Sequence, residues 1–297
     1  MSKLKQVSVK VLRKVITMFG ADEILSGWLS PDSKWRKAMP KPSYYSKEEY
    51  QFQLAKGLSL IIDRSDYTQW RIFSGSLSVN PHIVSLLKRK KDLVVMDIGA
   101  NIGAYSVLLA RSLKEHKLDI HLFEPNPYVF SRLRENVDRL QKWSSNVHCV
   151  SNQLGVGETE YNLKLKFSKA HTGKASFVDQ GAFDEELEVP VVPLDHYAET
   201  KDLQRLDFIK LDVESFEPSA FLGAKETIAK HRPLIYFEYS NKWFANYSEE
   251  TIGDLIDQFK KMGYQMSLEK GSGFLDVEFS LAKLKTLRYG NFLAIPR

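Results

Sequence analysis

Asp97-Ile98-Gly99-Ala100-Asn101-Ile102-Gly103 is the stretch on which the reading of this chain turns. It follows Leu93-Val94-Val95-Met96, a continuous apolar run short enough to be a buried parallel strand. It precedes Ala104-Tyr105-Ser106-Val107-Leu108-Leu109-Ala110-Arg111, whose apolar spacing suits a helix packed on a sheet. The glycines therefore fall at a strand-to-helix turn, where backbone can approach a ligand and helix N–H groups face it. Working outward, the next strand ends in Phe123-Glu124-Pro125-Asn126-Pro127. Glu124 lies about 20 residues beyond Gly103, the separation at which a carboxylate reaches ribose hydroxyls.

A dinucleotide site calls for Gly-x-Gly-x-x-Gly, because a pyrophosphate needs several close N–H donors. Here the middle glycine is missing, and Asp97 stands just before the turn, where its charge repels phosphate and attracts a cation. S-adenosylmethionine meets both conditions, since it carries a sulfonium and an ammonium and has no phosphate. An NAD-dependent oxidoreductase is the competing reading of a generic glycine turn with a trailing Glu124. A non-catalytic nucleoside-binding protein of the same fold is the third.

The rest of the composition agrees with a globular enzyme. The chain has 297 residues, enough for a sizeable core, with 43% hydrophobic and 27% charged residues. Cys149 is the only cysteine, so no intrachain disulfide can form. A net charge of +5 is modest for this length, and no nucleic-acid-binding module is visible. Near the amino terminus Leu4, Val7, Val11, Leu12, Val15, Met18 and Phe19 fall at helical spacing among Lys3, Lys5, Lys10, Arg13 and Lys14. We expect a terminal helix packing its apolar stripe on the protein, in preference to a basic helix lying on an anionic membrane. No bilayer-spanning run or secretory signal is read, and a cytoplasmic location is expected.

Residues 1–80 read as an extension, partly helical and with a loop from Trp28 to about Lys47, and residues 81–297 as the catalytic domain. Pro81 to Lys88 reads as a helix feeding the glycine-turn strand. Beyond it, strands at Leu118–Phe123, Asn146–Val150, Asp207–Val213, Leu234–Phe237 and Asn291–Ile295 alternate with helices at Pro127–Leu140, Pro218–Lys230 and Glu249–Met262. Tyr161–Lys166 and Leu187–Val192 read as an inserted β-hairpin around the loop Ser168–Asp184. Such alternation predicts a doubly wound, mostly parallel α/β sheet with its ligands beyond the carboxyl ends of the strands.

These blocks resemble the FkbM family of S-adenosylmethionine-dependent methyltransferases. The matching pieces are Asp97–Gly103, Phe123–Pro127, Val191-Val-Pro-Leu-Asp195, Asp207-Phe-Ile-Lys-Leu-Asp-Val-Glu214, Gly223-Ala224 and Arg232-Pro-Leu-Ile-Tyr-Phe-Glu238. The resemblance covers roughly Val94 to Tyr239. It implies a class I, Rossmann-like methyltransferase fold with a seven-stranded sheet, and O-methylation of sugar, glycan or natural-product hydroxyls. It also implies that Asp97, Gly99, Ala100, Asn101 and Gly103 line the methionine part of the cofactor, with Glu124 on the ribose. One departure is Ser215, where the family usually has glycine; if that position needs positive φ, either Ser215 is mildly strained or the loop is reshaped.

Further site candidates follow from position. Asn126 is a candidate contact to the adenosine or simply a turn former between prolines, and Asn152 and Gln153 end a strand, either as amides that meet the adenine edge or as ordinary strand-end residues. Methyl transfer is an in-line displacement on an activated carbon, so alignment supplies much of the rate, and a base must take the hydroxyl proton. Asp212 and Glu214 alternate along a strand end and are expected on one face, with Glu238 ending the neighbouring strand. His171, in the inserted loop, is a candidate imidazole base. No metal ligand set is assigned, although three converging acids suit a divalent cation. Lys210 is read as a structural ion-pair partner, Asp195 as the cap of the segment beginning at His196, and Trp243, Phe244 and Tyr247 either as aromatics that stack on a sugar face or, equally, as core packing. The acceptor is expected to be a small molecule or glycan.

Overall fold

The structure is a computed structural model that describes residues 11–17, 21–28, 39–168, 171–177 and 185–297. Two units divide the chain, residues 1–78 with 170–173 and residues 79–169 with 174–297. In the first, an antiparallel hairpin of β1 (Glu49–Ala55) and β2 (Leu58–Asp63) carries Leu58, Leu60 and Ile62 inward. Phe73, on the helix Tyr67–Phe73, is met edge-on by Tyr45, Tyr50 and Phe52 at 5.9, 5.8 and 5.6 Å, a geometry that suits the ring quadrupoles. The helix over 11–17 buries Ile16 but leaves Val11, Leu12 and Val15 exposed, so within the described residues its stripe is only partly packed. The rest of that stripe lies outside the described residues.

The second unit is built on β3 (Asp92–Ile98), β4 (Lys117–Phe123), β5 (Val147–Asn152), β6 (Gly155–Val156), β7 (Tyr161–Ser168), β9 (Glu185–Val192), β10 (Phe208–Leu211), β11 (Leu234–Ser240), β12 (Tyr264–Lys270), β13 (Gly273–Asp276) and β14 (Tyr289–Pro296), while β8 (His171–Ser176) is divided between the two units after Gly173. Eight of them form one sheet in the order β13-β12-β14-β11-β10-β3-β4-β5. β5, β4, β3, β10 and β11 run parallel, and β14 enters antiparallel. The expected seven-stranded sheet thus gains β13 as an eighth strand, hairpinned onto β12. The inserted pair β7 and β9 is antiparallel and belongs to a second sheet of order β6-β9-β7-β8.

The chain lays down β3, β4 and β5 in one direction, then crosses back to place β10 and β11 on the other side of β3. That reversal is the switch point at which doubly wound sheets open a ligand crevice. Register sets Asp97 beside Lys210 and Ile98 beside Leu211. One face of the sheet is sealed by an aromatic core in which Phe237 stacks on Trp243, Phe259 and Phe292 and meets Phe221 edge-on. The other face carries the alternate residues Asp97, Lys210 and Glu238, so the period-two rule turns the polar set toward the site. No helix among the described residues is long and apolar enough to cross a membrane.

Candidate functional site

The glycine turn is held by its own chain. Gly99 has φ +75, and a Cβ there would lie 1.8 Å from the carbonyl oxygen of Asp212, so only glycine lets the end of β10 close on the turn. Gly103, with φ +80, begins the helix Ala104–Ser112. The amides of Gly99 and Ala100 donate to the Phe123 carbonyl at 3.0 and 2.9 Å, and that of Asn101 to Glu124 Oε2 at 2.9 Å. The amide of Ile102 donates to Asn101 Oδ1 and that of Gly103 to the Ala100 carbonyl. Every N–H from Gly99 to Gly103 is thereby taken up within the chain. That leaves no cradle of turn amides for a pyrophosphate. From behind, the buried Asn136 Nδ2 donates to the Ile102 carbonyl at 2.9 Å.

Buried charges surround the turn. Asp97 is fully buried; its Oδ2 accepts from Ser106 Oγ at 2.6 Å, and Lys210 Nζ stands 3.2 Å from its Oδ1 without the alignment of a hydrogen bond. Lys210 Nζ instead donates to the Gly99 carbonyl at 2.8 Å and lies 3.8 Å from Asp212 Oδ2. Burial works against the Lys210 charge, but Asp97, Asp212 and Glu238 outweigh it and raise its pKa. Lys210 is the structural ion-pair partner the sequence suggests. Glu124 is buried, with Oε1 accepting from the Asn126 amide and Oε2 from that of Asn101. Desolvation raises its pKa to about 7 despite those two donors. A carboxyl with spare lone pairs and, among the described residues, no ion-pair partner at contact distance suits a ligand bearing two hydroxyls, as a ribose does.

The carboxylate cluster differs from the expected trio. Oxygens of Asp212, Glu217 and Glu238 lie within 4.8 Å of one another. β10 ends at Leu211, so the alternation expected to pair Asp212 with Glu214 stops, and the chain enters a left-handed turn with φ of 53 at Glu214 and 76 at Ser215. Glu214 remains close enough to raise the Glu238 pKa, after burial and Asp212. Glu217, missed in the sequence, is fully buried; its Oε1 accepts from the Val213 amide at 2.9 Å and the Ser215 amide at 3.4 Å, and its Oε2 from Trp243 Nε1 at 2.9 Å. It braces the turn from inside, and burial raises its pKa to about 7.

Ser215 carries the strain anticipated for a residue in a glycine position. Relief of left-handed strain, set against the unfolded-chain entropy of glycine, gives an expected net gain of roughly 0.5–1 kcal/mol for Ser215→Gly. Denaturant unfolding measures it, and a loss of stability would contradict the strain.

Asn126 is buried and caps the helix Pro127–Trp143, its Oδ1 accepting from the Tyr128 amide. Asn152 is half-buried and donates to the Leu122 and Val150 carbonyls, while Gln153 is exposed at the same strand end. His171 sits on β8, and its side chain lies outside the described residues. Asp195 does not cap its own helix, which starts after Pro193; its carboxylate accepts from the Glu226 and Thr227 amides and caps the helix Lys225–His231 instead. Trp243 is buried in the aromatic core, so it offers no face to a sugar, and Phe244 and Tyr247 pack against the same core.

The Methyltransferase FkbM domain family matches residues 97–266, a span holding both the glycine turn and the acid cluster. This chain belongs to that family. It is a methyltransferase, and S-adenosylmethionine is its methyl donor. Among FkbM relatives, 2-O-methyltransferase NoeI of Sinorhizobium fredii is 31% identical over 202 residues, covering 63% of this chain and 80% of NoeI. Hexuronic acid methyltransferase AglP of Haloferax volcanii is 25% identical over 157 residues, covering 52% of this chain and 59% of AglP. 31-O-demethyl-FK506 methyltransferase FkbM of Streptomyces tacrolimicus is 27% identical over 160 residues, covering 45% of this chain and 60% of that protein. The chain thus spans most of NoeI but under two thirds of the other two. The solved Methyltransferase FkbM from Methylobacillus flagellatus aligns with a TM-score of 0.43 and 17% identity, covering 94% of this chain and 59% of that one.

Proposed function

We propose that this FkbM methyltransferase transfers the S-adenosylmethionine methyl group to a hydroxyl oxygen of a sugar, glycan or natural product. The supporting observation is the group of carboxylates at the carboxyl end of β10 and β11, beside a turn that can hold a cationic cofactor. In this reading Glu124 accepts from the ribose hydroxyls, and Asp97 and the turn Gly99–Gly103 line the methionine part. The bound cofactor supplies a methyl carbon activated by its sulfonium. The protein supplies alignment and a proton acceptor. Glu238 suits that second task, since burial and the Asp212, Glu214 and Glu217 charges raise its pKa to about 9, nearer a hydroxyl than an ordinary carboxyl. Asp212, 43% exposed, is the carboxylate open to the acceptor. Glu217 is engaged by the turn and holds it. The name of NoeI, a 2-O-methyltransferase, supports transfer to oxygen, and that of AglP, a hexuronic acid methyltransferase, supports a sugar-like acceptor for this chain.

Labelled S-adenosylmethionine, incubated with the protein and neutral methyl glycosides, is expected to yield an alkali-stable methyl ether. Glu124→Ala is expected to weaken S-adenosylhomocysteine binding about 10- to 100-fold by calorimetry, through loss of charged hydrogen bonds. Binding of NAD with none of S-adenosylhomocysteine would reverse the assignment.

A further inference from the structure

One carboxamide stands between two glutamates of neighbouring strands, and its nitrogen alone is engaged. β14 lies between β11 and β12 in the sheet, and Asn291, near its start, is paired directly with Glu238 of β11. Opposed residues of an antiparallel pair put their side chains on one face, with Cβ atoms about 5 Å apart. On the other side, Asn291 Nδ2 donates to Glu269 Oε2 of β12 at 2.8 Å. Glu269 also accepts from Asn80 Nδ2 at Oε1 and from the Tyr236 hydroxyl at Oε2, both at 2.8 Å. A carboxylate only accepts, so Asn291 must turn its NH2 group to Glu269 and its oxygen away from it. Among the described residues no donor reaches Asn291 Oδ1, and that atom is not shut off from solvent.

Across from it, Glu238 Oε1 accepts from the Tyr289 hydroxyl at 2.7 Å. The carboxyl end of β11 thus carries two acceptors side by side, a carboxyl suited to take a proton and an amide oxygen that cannot. Neighbouring hydroxyls on a pyranose present two donors side by side in the same way. Resting on the sugar O-methylation proposed above, we infer that Asn291 is a specificity residue for the acceptor, its Oδ1 accepting from the hydroxyl next to the one that Glu238 deprotonates. The Glu269 network already fixes the amide, so this contact costs little further ordering. A neighbouring position that is already a methyl ether has no proton to donate, so the acceptor is a free vicinal diol. In sequence Asn291 reads as no more than the start of the terminal strand, because the partners that orient it come from β11 and β12.

Neutral methyl hexopyranosides of gluco, galacto and manno configuration, incubated with the protein and S-adenosylmethionine, are the probes, and NMR of the product locates the methylated oxygen. Deoxy analogues at the two flanking positions then measure what the neighbouring hydroxyl contributes. In the parent, removal of one flanking hydroxyl is expected to lower kcat/KM about tenfold, the scale of one hydrogen bond whose acceptor is left unpaired. Asn291→Ala is expected to lower kcat/KM for the intact glycoside by a similar factor while leaving the deoxy analogue within about twofold, which erases the discrimination. A purely structural role would slow both acceptors alike. Glu269→Gln offers Asn291 a donor as well as an acceptor, so the amide is free to reverse and the discrimination is expected to fall although Asn291 is intact. Affinity for S-adenosylhomocysteine, read by calorimetry, is expected to be unchanged in both variants. Discrimination that survives in either variant, or a parent indifferent to both flanking hydroxyls, overturns the role of Asn291 and leaves the sugar reading standing. Failure of the parent to methylate any of these glycosides, with S-adenosylhomocysteine bound normally, overturns both.

Discussion

Lys210→Met is expected to lower the unfolding free energy by about 3–5 kcal/mol, the cost of leaving one partner of a buried pair charged and alone. Lys210 is buried, 3.2 Å from a fully buried Asp97, and donates at 2.8 Å to the Gly99 carbonyl. Methionine fills the space of the lysine stem but supplies neither charge nor donor. Among the described residues Asp97 would then keep only the Ser106 hydroxyl at 2.6 Å. Adding Asp97→Asn removes the stranded charge, so the double variant is expected to recover most of the loss. Urea unfolding of the four proteins gives the cycle. A Lys210→Met loss below about 1 kcal/mol would mean that water screens the pair as it does at a surface. The same variant is expected to bind S-adenosylhomocysteine more weakly, since the Gly99 carbonyl that Lys210 holds belongs to the turn proposed to line the cofactor.

The parts of the site that follow local rules were legible in the chain. Asp97–Gly103 sits between an apolar run and a helical pattern, and the turn forms where that boundary falls. Ser215 was flagged by one departure from a motif, and its φ of 76 bears the flag out. What local rules do not carry was missed. Glu214 was expected beside Asp212 because alternate strand residues share a face, yet β10 ends one residue before Asp212 and the rule lapses there. Glu217 reads in sequence as an ordinary acid before a helix-opening proline. Its burial depends on Trp243, 26 residues further on, donating to it. β12 went unread because its inward polar residue, Glu269, is satisfied by Asn80, Tyr236 and Asn291, from segments as far as 189 residues away. Legibility ended where a side chain's partner is supplied by topology and not by spacing.

Glu238→Gln is expected to reduce kcat about 10²- to 10⁴-fold, the usual worth of a positioned general base, with S-adenosylhomocysteine affinity unchanged. Glutamine keeps the shape and an acceptor for the Tyr289 hydroxyl, but it cannot take a proton. The pH dependence supplies the sharper test. Burial, then Asp212, Glu214 and Glu217, hold the Glu238 proton until about pH 9. A base works only after that proton has left, so kcat/KM is expected to climb with pH and level off near that value. Its ascending limb reports the free enzyme, whereas the limb of kcat reports the enzyme with cofactor and acceptor bound. A sulfonium beside the cluster adds a positive charge that favours the carboxylate, so the kcat limb is expected to sit at lower pH than the kcat/KM limb. Glu238→Gln removes the ascending limb from whatever rate remains. A variant that keeps its rate, or loses rate while retaining the same limb, would move the proton acceptor to Asp212, the 43% exposed carboxylate of the same cluster.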